Sequence, residues 1–293
     1  MTSPKISFLL TAYNFGNYIG GAIRSLLAQE GGYDFEIIVI DDCSSDDTTA
    51  IVQAIEDERV RFFRNEKNLG VAGSINKAFS LARGEYICRF DGDDEWYPWF
   101  LQETVPVLDS RPEIGMVYGD ISMINSVGEI TVERNHTFDY SILDRRSLLK
   151  SLLIDYVVPA PAIMARREAW AVALPLPGDL IYCDFDLARK VLSKFDLAFV
   201  PRPLAKYRVH EGNIHRVGMQ QKKAEYSVWQ TIHAFFERET LLDEQDKQDV
   251  FQARHLHFGD AYFGLGMRLD ARRCYSKALS FNDLLKKRNY TRR

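Results

Sequence analysis

Three carboxylates, Asp91, Asp93 and Asp94, stand within four residues in "YICRFDGDDEWYP", with Gly92 between the first two. Like charges this close repel unless something neutralises them. A hard divalent cation would do so. Mg²⁺ and Mn²⁺ prefer oxygen ligands, keep several waters, and are usually completed by substrate phosphates. The bland alternative is a solvated Asp-Gly turn after a strand. Two further acidic groups raise the same question: Asp41-Asp42 in "FEIIVIDDCSSDD", and Asp184 with Asp186 in "CDFDLARKVL".

The elements that must position these groups are legible in the hydrophobic pattern. Ile6–Leu10, Phe35–Ile40 and Tyr86–Phe90 are short, continuous apolar runs. Runs of that kind predict strands buried on both faces, hence a parallel sheet. Helical faces lie between them: Ile19, Ile23, Leu26 and Leu27, then Ile51, Val52 and Ile55, then Ile75, Ala78, Phe79 and Ala82. Strand–helix alternation predicts a doubly wound α/β domain. Ligands of such sheets sit beyond the carboxyl ends of the strands. "TAYN", "DDCSSDD" and "DGDD" all follow strands directly, so they should converge on one crevice.

The middle of the chain differs. "GMVYGDISMINSVGEITVE" predicts two strands joined by a turn near Ser126–Gly128, "APAIMA" a short strand and "RREAWAVA" a helix. Residues 183–195 form an amphipathic helical pattern. "DLAFVPRPLAKYRVH" predicts extended segments broken by Pro201 and Pro203, and "EWYP" the opening of a helix. Beyond residue 217 the chain turns helical and charged. Gly259, Tyr262, Gly266, Ala271, Tyr275 and Ala278 are spaced as in one tetratricopeptide helix pair, although a simple helical hairpin explains them as well.

Composition excludes several classes. With 293 residues, 46% hydrophobic and 27% charged, the chain is ordinary globular protein rather than disordered. A net charge of −4 gives no bulk attraction to nucleic acid. Cys43, Cys88, Cys183 and Cys274 lack CxxC spacing and read as reduced thiols. No signal peptide or bilayer-spanning run is evident, so a cytoplasmic protein is expected, peripheral at most to the inner face of a membrane. The basic residues Lys286, Lys287, Arg288, Arg292 and Arg293 would supply any weak membrane contact, against the simpler reading of a solvated terminus.

At this point the sequence resembles the family 2 inverting glycosyltransferases, which have the GT-A fold. The resemblance spans about residues 4–213. It rests on an ordered set: "SFLLTAYNFGNYIGGAIRSLLAQ", "FEIIVIDDCSSDDT", "NLGVAGSINKAFSLARGEYICRFDGDD", "CDFDLARKVL" and "YRVHEGN". It implies a metal-dependent transfer from a nucleotide-diphosphate sugar, UDP-linked, to a glycan or lipid-linked acceptor, as in cell-surface polysaccharide biosynthesis. It implies Mn²⁺ or Mg²⁺ as cofactor. Residues 1–215 would be the glycosyltransferase domain, with a donor half at 1–113 and an acceptor half at 114–215. Residues 216–293 would be a helical extension that packs on it or mediates association.

Residue by residue, the resemblance implies that Thr11, Ala12 and Tyr13 line the base pocket, with the Tyr13 ring against the nucleobase. Asp42 would accept from the uracil N3–H. Asp91 would contact the sugar-nucleotide and share the metal with Asp93, its main ligand. Asp94 would support the metal or donor sugar. Asp184 would be the general base, with Asp186 the fallback. His210 would lie near the diphosphate, and Arg208 could pair with phosphate. The family usually places Glu-Asp where this chain has Cys183-Asp184, which removes a residue that commonly helps hold the acceptor.

Each position has a structural rival. Asp41 and Asp42 suit caps of the following turn and helix. Asp184 suits an N-cap and Asp186 a first-turn acid favoured by the helix dipole. Trp96, Tyr97 and Trp99 read most simply as a cluster seating a helix, with acceptor stacking the sharper alternative. Two other functions compete. A sugar-nucleotide nucleotidyltransferase expects a basic, glycine-rich loop after the first strand, but "TAYNFGNYIGG" has no cation before Arg24. A catalytically silent nucleotide- or glycan-binding protein of the same fold draws support from Cys183.

Overall fold

The computed structural model describes residues 3–155, 158–178 and 180–290, side chains at 214–216 and 282–290 excepted. The basic terminal cluster and His215 therefore lie outside the described side chains. Along the chain the elements are β1 (Ile6–Ala12), α1 (Ile19–Leu27), β2 (Phe35–Asp41), α2 (Thr48–Gln53), β3 (Val60–Arg64), α3 (Gly70–Leu81), β4 (Tyr86–Asp91), β5 (Glu95–Trp96), α4 (Phe100–Ser110), β6 (Ile114–Ile124) and β7 (Ile130–Val132). Then follow α5 (Arg145–Ile154), β8 (Ile163–Arg166), α6 (Arg167–Ala173), α7 (Cys183–Leu192), β9 (Asp196–Arg208), α8 (Ile214–Gln220), α9 (Lys223–Arg238), α10 (Glu244–Gly264) and α11 (Arg268–Tyr290).

Contacts divide the chain into two compact units: Met1–Ile142 with Val157–Glu211, and Leu143–Tyr156 with Gly212–Arg293. In the first unit, strands among the described residues form one sheet in the order β3-β2-β1-β4-β8-β6-β9-β5, with β7 paired to β6. The β3-β2-β1-β4 portion is parallel. β8 runs antiparallel to both β4 and β6, while β6 and β9 pair in parallel. The sheet is thus mostly parallel with flanking helices, as expected.

The core follows from the pattern. Every residue of β1 and β2 is buried, as strands covered on both faces must be. Phe8 packs its ring on Phe35 and Phe90, at centroid distances of 5.3 and 5.4 Å. Ile19, Ile23 and Leu26 of α1 close one face, and Ile75 and Ala78 of α3 are buried too. Each such Ile, Leu or Phe side chain removed from water contributes about 1.5–3 kcal/mol.

Three local expectations need correction. "EWYP" does not open a helix: Glu95–Trp96 is a short strand paired antiparallel with Lys206 and Ala205. The helix starts at Phe100, after Pro98. Pro201 and Pro203 do not break β9. The register passes from Gly119↔Val200 to Asp120↔Pro203, so a bulge absorbs the prolines and the strand continues. β3, "VRFFR", was not foreseen, because its residues are only partly buried and its apolar run is two residues long.

In the second unit, α10 and α11 form a helical hairpin. Gly259 is required there, because a Cβ would meet the Tyr275 ring at 2.5 Å. Asp243 caps α10 with a full capping box through Asp246. Lys150 of α5 pairs with Asp246 and Asp249 of α10, at 3.0 and 2.6 Å.

Candidate active site

The three polar strand ends are brought level by register. Thr11 pairs with Asp91 across β1–β4, and Ala12 with Asp41 across β1–β2. The backbone continues the alignment. Gly92 N–H donates to the Thr11 carbonyl at 3.1 Å, and Asp42 N–H to the Ala12 carbonyl at 2.8 Å. The loop after β1 is tied to the loop after β2: Asn14 N–H donates to Ser44 Oγ, Phe15 N–H to Thr48 Oγ1, and Gly16 N–H to Asp46 Oδ2, each at 2.9 Å. The Tyr13 ring beside them is 49% exposed, while Thr11 and Ala12 are buried.

Asp41 and Asp42 have different tasks. Asp41 is wholly buried and accepts from Ser44 N–H at 2.9 Å and from Thr49 Oγ1 at 2.5 Å. It therefore caps the loop into α2, the structural alternative for that residue. Asp42 receives Asn65 Nδ2 at 2.7 Å and Leu69 N–H at 2.8 Å, both on Oδ1. Those bonds fix the carboxylate against α3's leading loop.

The "DGDD" loop is held from the far side of the sheet. Asp94 Oδ1 accepts from Arg208 N–H at 2.8 Å, and the Arg208 Nε donates to the Asp93 carbonyl at 2.7 Å. The Arg208 guanidinium also reaches Glu95 at 2.7 Å. It is buried and serves this loop as a strut. His210 Nε2 lies 3.0 Å from Asp93 Oδ2, and the Tyr18 ring sits 5.1 Å from the imidazole. Gly92 is needed between the acids, since a Cβ there would lie 2.8 Å from Ile19 Cδ1 and 3.1 Å from the Phe15 ring.

Across from this loop stands the start of α7. Asp184, Cys183 and Arg89 line one small pocket together with Ile163 and Trp170. Arg89 Nη2 donates to Asp91 Oδ1 at 2.5 Å. Burial opposes the Arg89 charge, but Asp91 and then Asp184 hold its pKa above the ordinary arginine value. Asp186, by contrast, is buried and paired with Arg189 and Lys190, each at 2.7 Å. The Cys183 thiol is pushed up to about 12, first by burial, with the negative charges of Asp184 and Asp91 adding to the rise. It stays protonated at neutral pH.

A family model, Glycosyl transferase family 2, matches residues 7–170, which run from β1 into α6 and include the whole acidic loop. The chain belongs to glycosyl transferase family 2. Succinoglycan biosynthesis protein ExoO of Rhizobium meliloti (strain 1021) is 41% identical over 107 residues, covering 36% of this chain and 30% of that protein. UDP-Glc:alpha-D-GlcNAc-diphosphoundecaprenol beta-1,3-glucosyltransferase WfgD of Escherichia coli is 31% identical over 142 residues, covering 47% and 55%. The chain spans 30 to 66% of the length of the first curated relatives it matches. Among solved structures, S. aureus TarS 1–349 in complex with UDP-GlcNAc has a TM-score of 0.67 at 18% identity, over 94% of this chain and 80% of that one. The likeness to TarS establishes the GT-A fold.

The acidic corner carries a negative field that Arg89 only partly offsets. Burial first, then the Asp93 and Asp184 charges, push Asp91 up to about 6, although Arg89 and the Thr11 hydroxyl oppose the rise. Burial and the Asp93 charge hold Asp94 well above the ordinary carboxylate range. The Tyr207 phenol is likewise raised, by burial and then by the charges of Asp94, Asp93, Asp91 and Asp184. A cation is the natural complement of that field. No group of three or more potential ligands is assembled among the described residues. Asp93 and His210 form a ready pair, however, and Mg²⁺ or Mn²⁺ bound through one or two protein groups takes its remaining oxygens from water and phosphate. The residues present therefore fit such an ion.

Arg89 was missed by the sequence reasoning. It is two residues before Asp91 on the same strand, so both side chains project from one face. An arginine inside the apolar run "YICRF" was the available signal. The aromatic cluster, meanwhile, is tied into the fold by its polar edges. Trp96 Nε1 donates to the Pro161 carbonyl at 2.7 Å, Trp99 Nε1 to the Pro203 carbonyl at 2.9 Å, and the Tyr97 hydroxyl bonds Ser122 at 2.8 Å. Among the described residues no helix is long and apolar enough to cross a membrane.

Proposed function

We propose that this chain transfers a sugar from a UDP-linked donor to a glycan or lipid-linked hydroxyl in one inverting, metal-dependent displacement. The observation that carries it is the alignment of Thr11 with Asp91 by register, with Asp184 close enough for its charge to act on both Asp91 and Arg89. Two acidic groups far apart in sequence then face one donor from opposite sides, as a single displacement needs.

The chain's own residues divide the work. Thr11, Ala12 and the open Tyr13 ring seat the nucleobase, and Asp42, fixed by Asn65 and Leu69, accepts from a base N–H. Uracil presents such a donor at N3. Asp93 and His210, supported by Asp91 and Asp94, would hold Mn²⁺ or Mg²⁺. When bound, that ion supplies charge stabilisation to the departing nucleotide diphosphate. Asp184 takes the proton from the acceptor hydroxyl as it attacks the anomeric carbon. Asp186 is committed to Arg189 and Lys190, so Asp184 is favoured as base. Arg89 holds Asp91 through its hydrogen bond, and its charge tempers the repulsion between Asp91 and Asp184.

The related names support the class of reaction. WfgD is named for a UDP-glucose donor and a diphosphoundecaprenol acceptor, and ExoO for succinoglycan biosynthesis. By that analogy this chain works on cell-surface polysaccharide in the cytoplasm, with residues 114–215 forming the acceptor half. Mass-spectrometric detection of slow UDP-sugar hydrolysis tests the proposal. Loss of hydrolysis in both Asp93→Ala and Asp184→Asn supports it. Undiminished hydrolysis in both removes the site assignment, and no hydrolysis by the wild type favours a silent binding protein.

A further inference from the structure

A second pocket opens within the helical unit, between α9, α10 and α11. Trp229 and His255 form its wall, with ring centroids 4.5 Å apart, and Lys222, Arg273 and Lys277 surround Glu225. None of these residues belongs to the acidic corner.

The charges in the pocket do not cancel. Glu225 is buried and fully engaged: Arg273 Nη1 donates to Oε1 at 3.0 Å and Nη2 to Oε2 at 2.5 Å, and the Tyr262 hydroxyl donates to Oε2 at 2.8 Å. Lys222 pairs with Asp270 at 2.7 Å. Lys277 has no ion pair among the described residues, and its side chain is exposed at the pocket. A net positive rim therefore surrounds an aromatic wall.

His255 backs the aromatic wall. It is 7% exposed, and its Nδ1 is buried with no hydrogen-bonding partner among the described residues. Burial, and then the Lys277 charge, press its pKa down to about 4, so the ring is neutral at pH 7. A neutral imidazole keeps one donor and one acceptor nitrogen.

We propose that this pocket binds an anionic saccharide, with a pyranose face on Trp229 and a carboxylate or phosphate toward Lys277. The indole face is electron-rich and the C–H groups on one face of a pyranose are weakly positive, so the two surfaces attract. The anion answers the cationic rim, and charge-assisted hydrogen bonds to it are the strong ones. The choice of a saccharide rests on the glycosyltransferase reading; the anion and the aromatic platform do not. Such a site would hold an acidic stretch of a polymer that the enzyme extends.

Calorimetric titration of the full chain decides the matter, with four probes: an oligogalacturonate, a hexose 6-phosphate, a neutral gluco-oligosaccharide and inorganic phosphate. Binding of the oligogalacturonate or the hexose phosphate, well above both controls, is expected, and the stronger of the two identifies the anion. Lys277→Glu should weaken that binding about tenfold, since one charge-assisted contact of roughly 1.4 kcal/mol is a factor of ten. Tyr226→Ala, at an exposed position beside the pocket, should weaken it less. UDP-sugar hydrolysis is followed in the same variants and should not change. Equal affinity for neutral and acidic saccharides, phosphate binding as tight as the sugar acids, or an unaltered Kd in Lys277→Glu each overturns the inference. If hydrolysis is absent while acidic saccharide still binds, the proposed reaction fails and this site stands; the reverse pattern removes only this site.

Discussion

His210 Nε2 lies 3.0 Å from Asp93 Oδ2, joining two residues 117 apart in the chain. The contact closes the acidic loop against the end of β9. It also sets beside the loop an imidazole nitrogen that the acidic motif itself lacks. His210→Asn should therefore lower Mn²⁺-dependent turnover by about 10–100-fold, the usual range for a group that holds or orients a metal ligand. Steady-state rates across a Mn²⁺ titration measure it. A rate equal to wild type at every Mn²⁺ concentration would show that the imidazole only packs on Tyr18.

Arg89 is the counter-charge on the other side of the same loop. Lysine keeps the charge but loses the planar fork that meets Asp91. Arg89→Lys should cut kcat about tenfold and Arg89→Met more, while UDP affinity changes little, because Arg89 acts on the reacting side rather than on the base. Separate measurement of kcat and of UDP binding distinguishes this from a general loss of structure, which would lower both.

The field at Asp94 has a cost in the empty protein. Burial and the Asp93 charge disfavour its ionised form, yet ionisation is what a cation requires. Asp94→Asn keeps an oxygen for the Arg208 N–H and removes the charge. Metal-free Asp94→Asn should be more stable than wild type at pH 8, by about 1 kcal/mol, and should turn over poorly. Chemical denaturation in EDTA reads the stability; a less stable variant would mean that the repulsion is already relieved.

Glu36 shows the opposite balance, far from the chemistry. It accepts from Ser7 Oγ at 2.7 Å, from Arg61 at 2.6 Å and from Arg83 Nη2 at 2.8 Å. Burial alone would raise its pKa, but Arg83, Ser7 and Arg61 outweigh burial and lower it. A lowered carboxylate pKa stabilises the fold above the ordinary glutamate range, and that stability disappears as pH falls through the folded-state value. Glu36→Gln should cost about 2 kcal/mol at pH 7, less than a fully buried pair because the Arg83 side chain is half exposed. The difference from wild type should shrink toward pH 3 in urea melts, and a constant difference would refute the ion-pair account.

Some of this was legible because it depends on local pattern. β1, β2 and β4 are apolar runs with polar ends, and register alone brings Thr11, Asp42 and Asp91 together. The loop after β6 was visible in Ser126–Gly128, where Gly128 takes φ +91°. What was hidden depends on partners distant in sequence. Arg89 looks like an error in a buried strand until Asp184 arrives from α7. "EWYP" has the composition of a helix start, but Glu95 and Trp96 are claimed by Lys206 and Ala205. Prolines at 201 and 203 announce a break, yet the bulge opposite Gly119 and Asp120 carries the strand through. Asp41 and Asp42 are identical in type and adjacent, and only their hydrogen bonds separate a loop cap from a carboxylate fixed against the loop that leads into α3.

The central claim is a uridine-diphosphate pocket completed by a metal ion. Its most direct test is a thermal-shift comparison of UDP, ADP and GDP, each with and without Mn²⁺. A ligand that binds only the folded state at a hundredfold excess over Kd adds about 2.7 kcal/mol of apparent stability. For a protein of this size that is a rise of roughly 4 °C. The account predicts such a rise for UDP with Mn²⁺, little for UDP alone, and little for ADP or GDP. A larger rise with a purine nucleotide, or a UDP shift indifferent to Mn²⁺, would contradict it.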